Sequence, residues 1–235
     1  MSAIKLGVPS KGRLMEQTFD WFAARGLTLR RTGSEREYAG AVEGAEAVEL
    51  VLLSAGEIPR ELAAGRIHLG VTGSDLVREK LADWQGQVAD LAPMGFGHAD
   101  LIIAVPACWD DVDTLEDLDA AAHVFRAAHG QRLRIATKYH RLLREFLAQE
   151  GVADWQSVDS QGATEGTVKN LTAEAVADIT SSGETLRANH LKILSDGLIH
   201  QSQATLFAAR AADWSGLAAP FAALCAQLGV PVPRL

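Results

Sequence analysis

The stretch DITSSGETLRAN, Asp178 to Asn189, sets Asp178, Thr180, Ser181, Ser182, Glu184 and Thr185 around Gly183, just ahead of a helical pattern. Hydroxyls and free main-chain N–H groups at a helix start carry partial positive charge and can hold a phosphate. Gly183 lets the backbone approach such an anion closely. The same residue types make an ordinary helix cap. Donor density alone leaves both readings open. The stretch matches neither GxxxxGK[ST] nor GxGxxG. Asp178 adds a carboxylate, which is unfavourable beside a phosphate unless it takes a sugar hydroxyl or Mg²⁺. Phosphate, hydroxyls and metal in one place suggest a phosphoribosyl ligand.

Three further segments carry polar groups at element ends. PSKGRL, Pro9 to Leu14, follows an apolar run and opens a helical one, offering Ser10, Lys11, Gly12 and Arg13. Strand C-terminal ends are where α/β folds bind ligands; a solvated basic turn is the plain alternative. GVTGSDLV, Gly70 to Val77, gives a second donor-rich helix start through Thr72, Gly73 and Ser74, and capping alone would account for it. Arg36 lies between Glu35 and Glu37 in GSEREYAG and by itself reads as a surface ion-pair residue.

Other chemistries find no support. The seven histidines show no HxH, HExxH or Cys/His spacing, so no zinc site bound by the protein is expected. No GxSxG elbow is present and nothing points to a covalent nucleophile. The net charge of −8 argues against nonspecific nucleic-acid binding but not against phosphorylated small molecules. No apolar run approaches the ~18 residues of a membrane span, and no secretory leader is evident at the N-terminus. A cytoplasmic protein without membrane attachment is expected. Cys108 and Cys225 read as free thiols, and as small buried hydrophobes.

These residues need a scaffold. Strands are expected at Ile4–Val8, Val48–Leu53, Ile67–Val71, Asp100–Val105, Leu133–Thr137 and Ala175–Thr180, most of them short and rich in Val, Ile and Leu. Helices are expected from Leu14 to Gly26, Ser74 to Trp84, Asp119 to Gly130, around Leu142–Leu147, and from Trp214 to Leu228. The alternation predicts an α/β protein with mainly parallel sheets. The long run DLIIAVP could carry the chain into a second lobe and the stretch at Asp178 could carry it back. A ligand cleft between lobes is then expected.

PSKGRL, GVTGSDLV, RIATKY at Arg134–Tyr139 and DITSSGETLRAN resemble, in order and approximate spacing, segments of the ATP phosphoribosyltransferases, the first enzymes of histidine biosynthesis. The likeness spans essentially the whole chain, and 235 residues match the family's short form. It implies a two-lobed α/β fold like the type II periplasmic binding proteins. Lobe I would comprise 1–103 plus 189–235 on the nucleotide side, and lobe II 104–188 on the 5-phosphate side. It implies a pentosyltransferase that joins N1 of the ATP adenine to C1 of phosphoribosyl pyrophosphate, with Mg²⁺ brought by the substrate and not bound directly by the protein. It also implies a homodimer joined to a histidyl-tRNA-synthetase-like regulatory subunit. Thr180, Ser181, Ser182, Gly183, Glu184, Thr185 and Leu186 match the loop that holds the sugar 5-phosphate. Asp178 matches the acid at the ribose hydroxyls, and Glu165 in GATEG a glutamate near the sugar. Arg13 and Arg36 match arginines at the nucleotide and the departing pyrophosphate, the catalytic pair. Ser10, Lys11, Gly12, Thr72 and Gly73 fall on the nucleotide side. His68, His140 and Gly166–Thr167 depart from the family's usual residues beside these motifs. The alternative is a two-lobed binding or sensor module without catalysis.

Overall fold

The structure, a computed structural model, describes residues 3–31, 39–160 and 162–235. Its contacts divide the chain into two units, Met1–Gly97 with Gln203–Leu235, and His98–Ser202.

The first unit begins with β1 (Ile4–Pro9), α1 (Gly12–Ala23), β2 (Thr28–Arg31), β3 (Ala39–Glu43) and β4 (Val48–Leu53). It continues through α2 (Ile58–Ala63), β5 (Leu69–Gly73), α3 (Ser74–Lys80), α4 (Trp84–Gln87) and β6 (Val88–Pro93). The second unit runs through β7 (Ala99–Pro106), α5 (Leu115–His129), β8 (Leu133–Thr137), α6 (His140–Gln149) and β9 (Trp155–Asp159). It ends with α7 (Gly166–Lys169), β10 (Ala175–Thr180), α8 (Glu184–Ala188) and β11 (Leu191–Ser202). The chain then returns to the first unit as β12 (Ala204–Ala209) and α9 (Ala218–Leu228). No helix among the described residues is long and apolar enough to cross a membrane.

One sheet has the order β2-β3-β4-β1-β5-β12-β6 and the other β11-β7-β10-β8-β9. Both are mixed, which corrects the mainly parallel expectation. Parallel pairing joins β1 to β4 and β5, and β8 to β9 and β10. The other six pairings are antiparallel. Parallel neighbours need a long crossover, whereas β2, β3 and β4, neighbours in both sequence and sheet, pair antiparallel. The expected divisions after 103 and 188 differ from the observed units: the first would cut β7, and the second would detach β11 from it. Seven register pairs tie β11 to β7, from Leu191↔Pro106 to Ser202↔Ala99, which holds both strands in the second unit.

Each unit has its own core. In the first, Ile4, Leu6, Val8, Leu50, Leu52, Leu69 and Val71 of the sheet pack with Phe22 of α1 and with Phe221, Leu224 and Leu228 of α9. The C-terminal helix thus closes this core, and Cys225 is buried within it, which raises its thiol pKa. Cys108 differs from the expected buried role and is exposed. In the second unit, Ile103 and Val105 face Leu115, Leu118, Leu143 and Leu147. Their strand neighbours Ile102 and Ala104 point to the other face and pack with Val176, Leu186 and Leu191. That smaller cluster seats α8 through Leu186.

The helix expected over Ser74–Trp84 stops at Lys80, because Leu81 is extended and Asp83 caps a separate turn at Trp84. The helix expected from Asp119 starts earlier, at Leu115, where Thr114 and Asp117 form a reciprocal capping box. Thr114→Ala removes this cap and is expected to cost about 1 kcal/mol. The thermal midpoint followed by circular dichroism should fall by about 2–4 °C; an unchanged midpoint would mean the cap is redundant.

Candidate functional site

The second unit gathers one group of the expected residues. Antiparallel pairing of β10 with β7 sets Asp178 opposite Ile102 and Thr180 opposite Asp100. The strand ends at Thr180, and the chain turns through Ser181, Ser182 and Gly183 into α8. Gly183 is the N-cap residue, with φ +71° and ψ 2°. Glycine is used here because that left-handed geometry is costly for a residue with a Cβ. A Cβ added to Gly183 would lie 3.0 Å from Arg187 Nη1 and 3.6 Å from Ile193 Cδ1.

The loop bonds to itself. The Gly183 N–H donates to Thr180 Oγ1 at 2.9 Å, and the Glu184 N–H to Ser182 Oγ at 3.4 Å. Ser181 Oγ donates to the His98 carbonyl at 3.1 Å. A hydroxyl that accepts a hydrogen bond keeps its own proton to give. Thr180 and Ser182 can therefore shape the turn and still donate to an anion. Capping and phosphate holding are compatible here.

A pocket of about 290 Å³ opens beside this turn, lined by Ala99, Glu165, Asp178, Ile179, Thr180, Ser181, Ser182, Thr185 and Leu186. Of the phosphate-loop residues expected from sequence, Gly183 and Glu184 lie in the turn but not on the pocket wall. The Leu186 side chain is 5% exposed and belongs to the core, so its contribution beyond lining is structural. Asp178 accepts the N–H of Ile179 through Oδ1 at 2.9 Å, a bond that uses one of its two oxygens. Ala99 and Ile179 also line the pocket, and nothing in their residue type signalled it.

Glu165 reaches the pocket from the segment between β9 and α7. That segment is fastened to the end of β8. The Ser160 N–H donates to the Thr137 carbonyl at 3.1 Å, and Ser160 Oγ to Thr164 Oγ1 at 2.9 Å. Lys138 Nζ donates to the Gly162 carbonyl at 2.6 Å. Thr137 and Thr164 are fully buried. The RIATKY segment therefore serves the site through Thr137 and Lys138, a role the sequence reading did not assign. Further along, Arg134 pairs with Glu174, its Nη2 2.5 Å from Oε1. Burial raises the Glu174 pKa, but its hydrogen bonds to Arg134 outweigh this and hold the carboxyl below its ordinary range.

The second group lies in the first unit. β1 lies between β4 and β5, parallel to both, so Leu53, Pro9 and Gly73 end three neighbouring strands on one sheet edge. Ser10, Lys11, Gly12, Arg13, Thr72 and Gly73 come together there. The Ser10 N–H donates to the Leu53 carbonyl at 2.7 Å, and Arg31 Nη2 donates to the Ser10 carbonyl. Lys11 is the extended N-cap residue of α1 and Gly12 follows at φ +77°. Lys11, Gly12 and Arg13 are exposed. Thr72 is fully buried and gives its hydroxyl proton to the Ala55 carbonyl at 2.8 Å. Its side chain thus ties the end of β5 to the loop that follows β4. Arg36 lies outside the described residues.

The departures beside the motifs have local accounts. His68 Nδ1 accepts the Lys5 N–H at 3.0 Å, so the ring proton sits on Nε2, which is 3.1 Å from the Asp213 carbonyl. The ring stacks edge-on against Trp214, with centroids 5.0 Å apart. His140 Nε2 lies 3.3 Å from Asp159 Oδ1. Gly166 and Thr167 open the short helix α7. Among the described residues no group of three or more His, Cys, Asp or Glu side chains is placed to hold a metal.

Two mixed α/β units, the second inserted into the first, define the class of the type II periplasmic-binding-protein-like folds. The alkanesulfonate-binding protein SsuA from Xanthomonas axonopodis pv. citri superposes with a TM-score of 0.51 at 17% identity, over 97% of this chain and 72% of that one. A solved ATP phosphoribosyl transferase (HisG:HisZ) complex from Thermotoga maritima superposes better, with a TM-score of 0.72 at 18% identity over 96% of both chains. At these identities the likeness is one of fold. Sequence carries the relationship further. The family model HisG, ATP phosphoribosyltransferase, matches residues 54–228. The ATP phosphoribosyltransferase of Cereibacter sphaeroides is 80% identical over 231 residues, 98% of each chain. The chain belongs to the ATP phosphoribosyltransferase family and has the length of its short form.

Proposed function

We propose that the chain is the catalytic subunit that transfers the 5-phosphoribosyl group of phosphoribosyl pyrophosphate to N1 of ATP, the first step of histidine biosynthesis. The observation that carries this reading is one pocket lined by Asp178, Glu165 and the hydroxyl residues Thr180, Ser181, Ser182 and Thr185, in a chain of this family. The turn's hydroxyls and N–H groups hold the 5-phosphate. Asp178 accepts from the ribose hydroxyls, and Glu165 approaches the sugar from the facing segment. Ser10, Lys11, Gly12, Thr72 and Gly73 serve the nucleotide, Thr72 through its main chain. The second unit is accordingly the sugar-donor side and the first the nucleotide side.

In the reaction the N1–C1 bond forms as the bond from C1 to the pyrophosphate oxygen breaks, and its electron pair leaves with pyrophosphate. Adenine N1 is a neutral nucleophile, so no strong base has to activate it, and alignment of N1, C1 and the leaving oxygen supplies much of the rate. Charge grows on the leaving oxygens, where Arg13 and Arg36 stabilise the transition state more than the ground state. Mg²⁺ would be carried by the substrate phosphates and water rather than held directly by the protein. Bound in that way, the ion would supply charge neutralisation on the pyrophosphate.

A homodimer joined to a histidyl-tRNA-synthetase-like regulatory subunit, in the cytoplasm, completes the proposal. The solved Thermotoga maritima relative is a HisG:HisZ complex, which supports such a partner here. The test is to incubate the chain, alone and with that partner, with ATP, phosphoribosyl pyrophosphate and Mg²⁺, and to follow phosphoribosyl-ATP by absorbance. Product formation is expected in the complex; none in the complete mixture would reduce the chain to a binding module.

A further inference from the structure

The donor pocket poses an electrostatic problem. Among the described residues its wall contains two carboxylates, Glu165 and Asp178, and no lysine or arginine. A phosphate entering it needs oriented donors and positive potential to offset those charges. Hydroxyls supply direction but little potential.

A cation is attached to the back of the turn. Arg187 Nη2 donates to the Ser182 carbonyl at 2.9 Å. Its Nη1 lies 3.0 Å from where a Cβ would stand on Gly183. Arg187 lines not the donor pocket but a separate depression, together with Ala107, Gly183, Leu186, His190, Leu191, Lys192 and Ile193. It therefore reaches the turn from the side away from the ligand. α8 spans only five residues, too short for its own helical bonds to fix the turn that precedes it. The brace from Arg187 joins the end of that helix to the middle of the turn. It fixes the Ser182–Gly183 peptide and so aims the N–H groups that follow. The guanidinium also polarises that peptide, with its positive charge on the carbonyl side.

We propose that Arg187 is the positioning residue of the phosphate turn, setting its shape and its potential from behind without touching substrate. The inference rests on the reading of the adjacent pocket as the sugar-phosphate site.

The test is calorimetric titration of the full chain with Mg²⁺–phosphoribosyl pyrophosphate and, separately, with ATP. Arg187→Met is expected to weaken donor binding about 10-fold or more, with ATP binding within twofold of wild type. Arg187→Gln, which can still donate to the Ser182 carbonyl but is uncharged, should fall between methionine and wild type. Arg187→Lys, which keeps the charge, should recover more than Arg187→Gln. Donor binding by Arg187→Met within twofold of wild type would overturn the positioning role while leaving the pocket assignment intact. Equal weakening of donor and ATP would mark a general structural defect and overturn it as well. If the wild-type chain itself binds no donor, the pocket assignment falls first, and the inference with it.

Discussion

Gly183→Val is expected to weaken binding of phosphoribosyl pyrophosphate by about 100-fold or more, while the chain stays folded. Two costs combine. Gly183 sits at φ +71°, where a β-branched residue is strained. Its new side chain would also meet Arg187 Nη1, whose bond to the Ser182 carbonyl keeps the turn in shape. Gly183→Asn is the control, because asparagine tolerates left-handed geometry better; it should lose less than the valine variant. Titration calorimetry reads both. Unchanged affinity in Gly183→Val would mean that the turn does not hold the donor's phosphate.

The second large effect concerns the reaction rate. Arg13→Ala is expected to lower kcat by about 10²–10³, the usual cost of removing one donor aimed at developing charge. Arg13 is exposed in the first turn of α1, at the strand-end edge that carries Lys11 and Gly12. Nothing in the core depends on its side chain, so stability should be unaffected. If Arg13 acts mainly on the leaving group, kcat falls by more than the KM of either substrate rises. A rise in KM with kcat unchanged would reassign it to ground-state nucleotide binding. The same comparison applies to Arg36, which the family resemblance pairs with it.

Legibility in the sequence followed burial only in part, since β12 is buried at every position and was still not predicted. Val48–Leu53, Leu133–Thr137 and Ala175–Thr180 have the bounds the apolar runs predicted. Each is a run of mainly apolar residues in the interior of a sheet, where local composition and tertiary environment agree. The strands β2, β3, β6, β9, β11 and β12 were not predicted. TLRR, WQSVD and LKILSDGLIHQS alternate irregularly with polar residues, and the pairing of β11 shifts register around Gly197. Such strands are defined by their partners, which lie far away in sequence. The mixed sheets follow from the same cause: strand direction depends on connections that short-range pattern does not encode.

The site divided in the same way. Asp178 and the hydroxyl turn were legible because their residue types are unusual at a strand–helix junction. Lys138 and Arg187 were not. Each acts through one hydrogen bond to a main-chain carbonyl, Gly162 for Lys138 and Ser182 for Arg187. An isolated cation in a sequence carries no sign of which carbonyl it will find. The one available signal was proximity, since Arg187 follows Gly183 by a single helical turn.

The pairing of Ala99 with Ser202 brings together the two ends of the inserted second unit. The first unit is likewise closed at the point of insertion, by the Ala204 N–H donating to the Phe96 carbonyl at 2.9 Å. A gene for residues 98–202 would therefore encode a chain whose termini meet, and a short linker from 97 to 203 would seal the remainder.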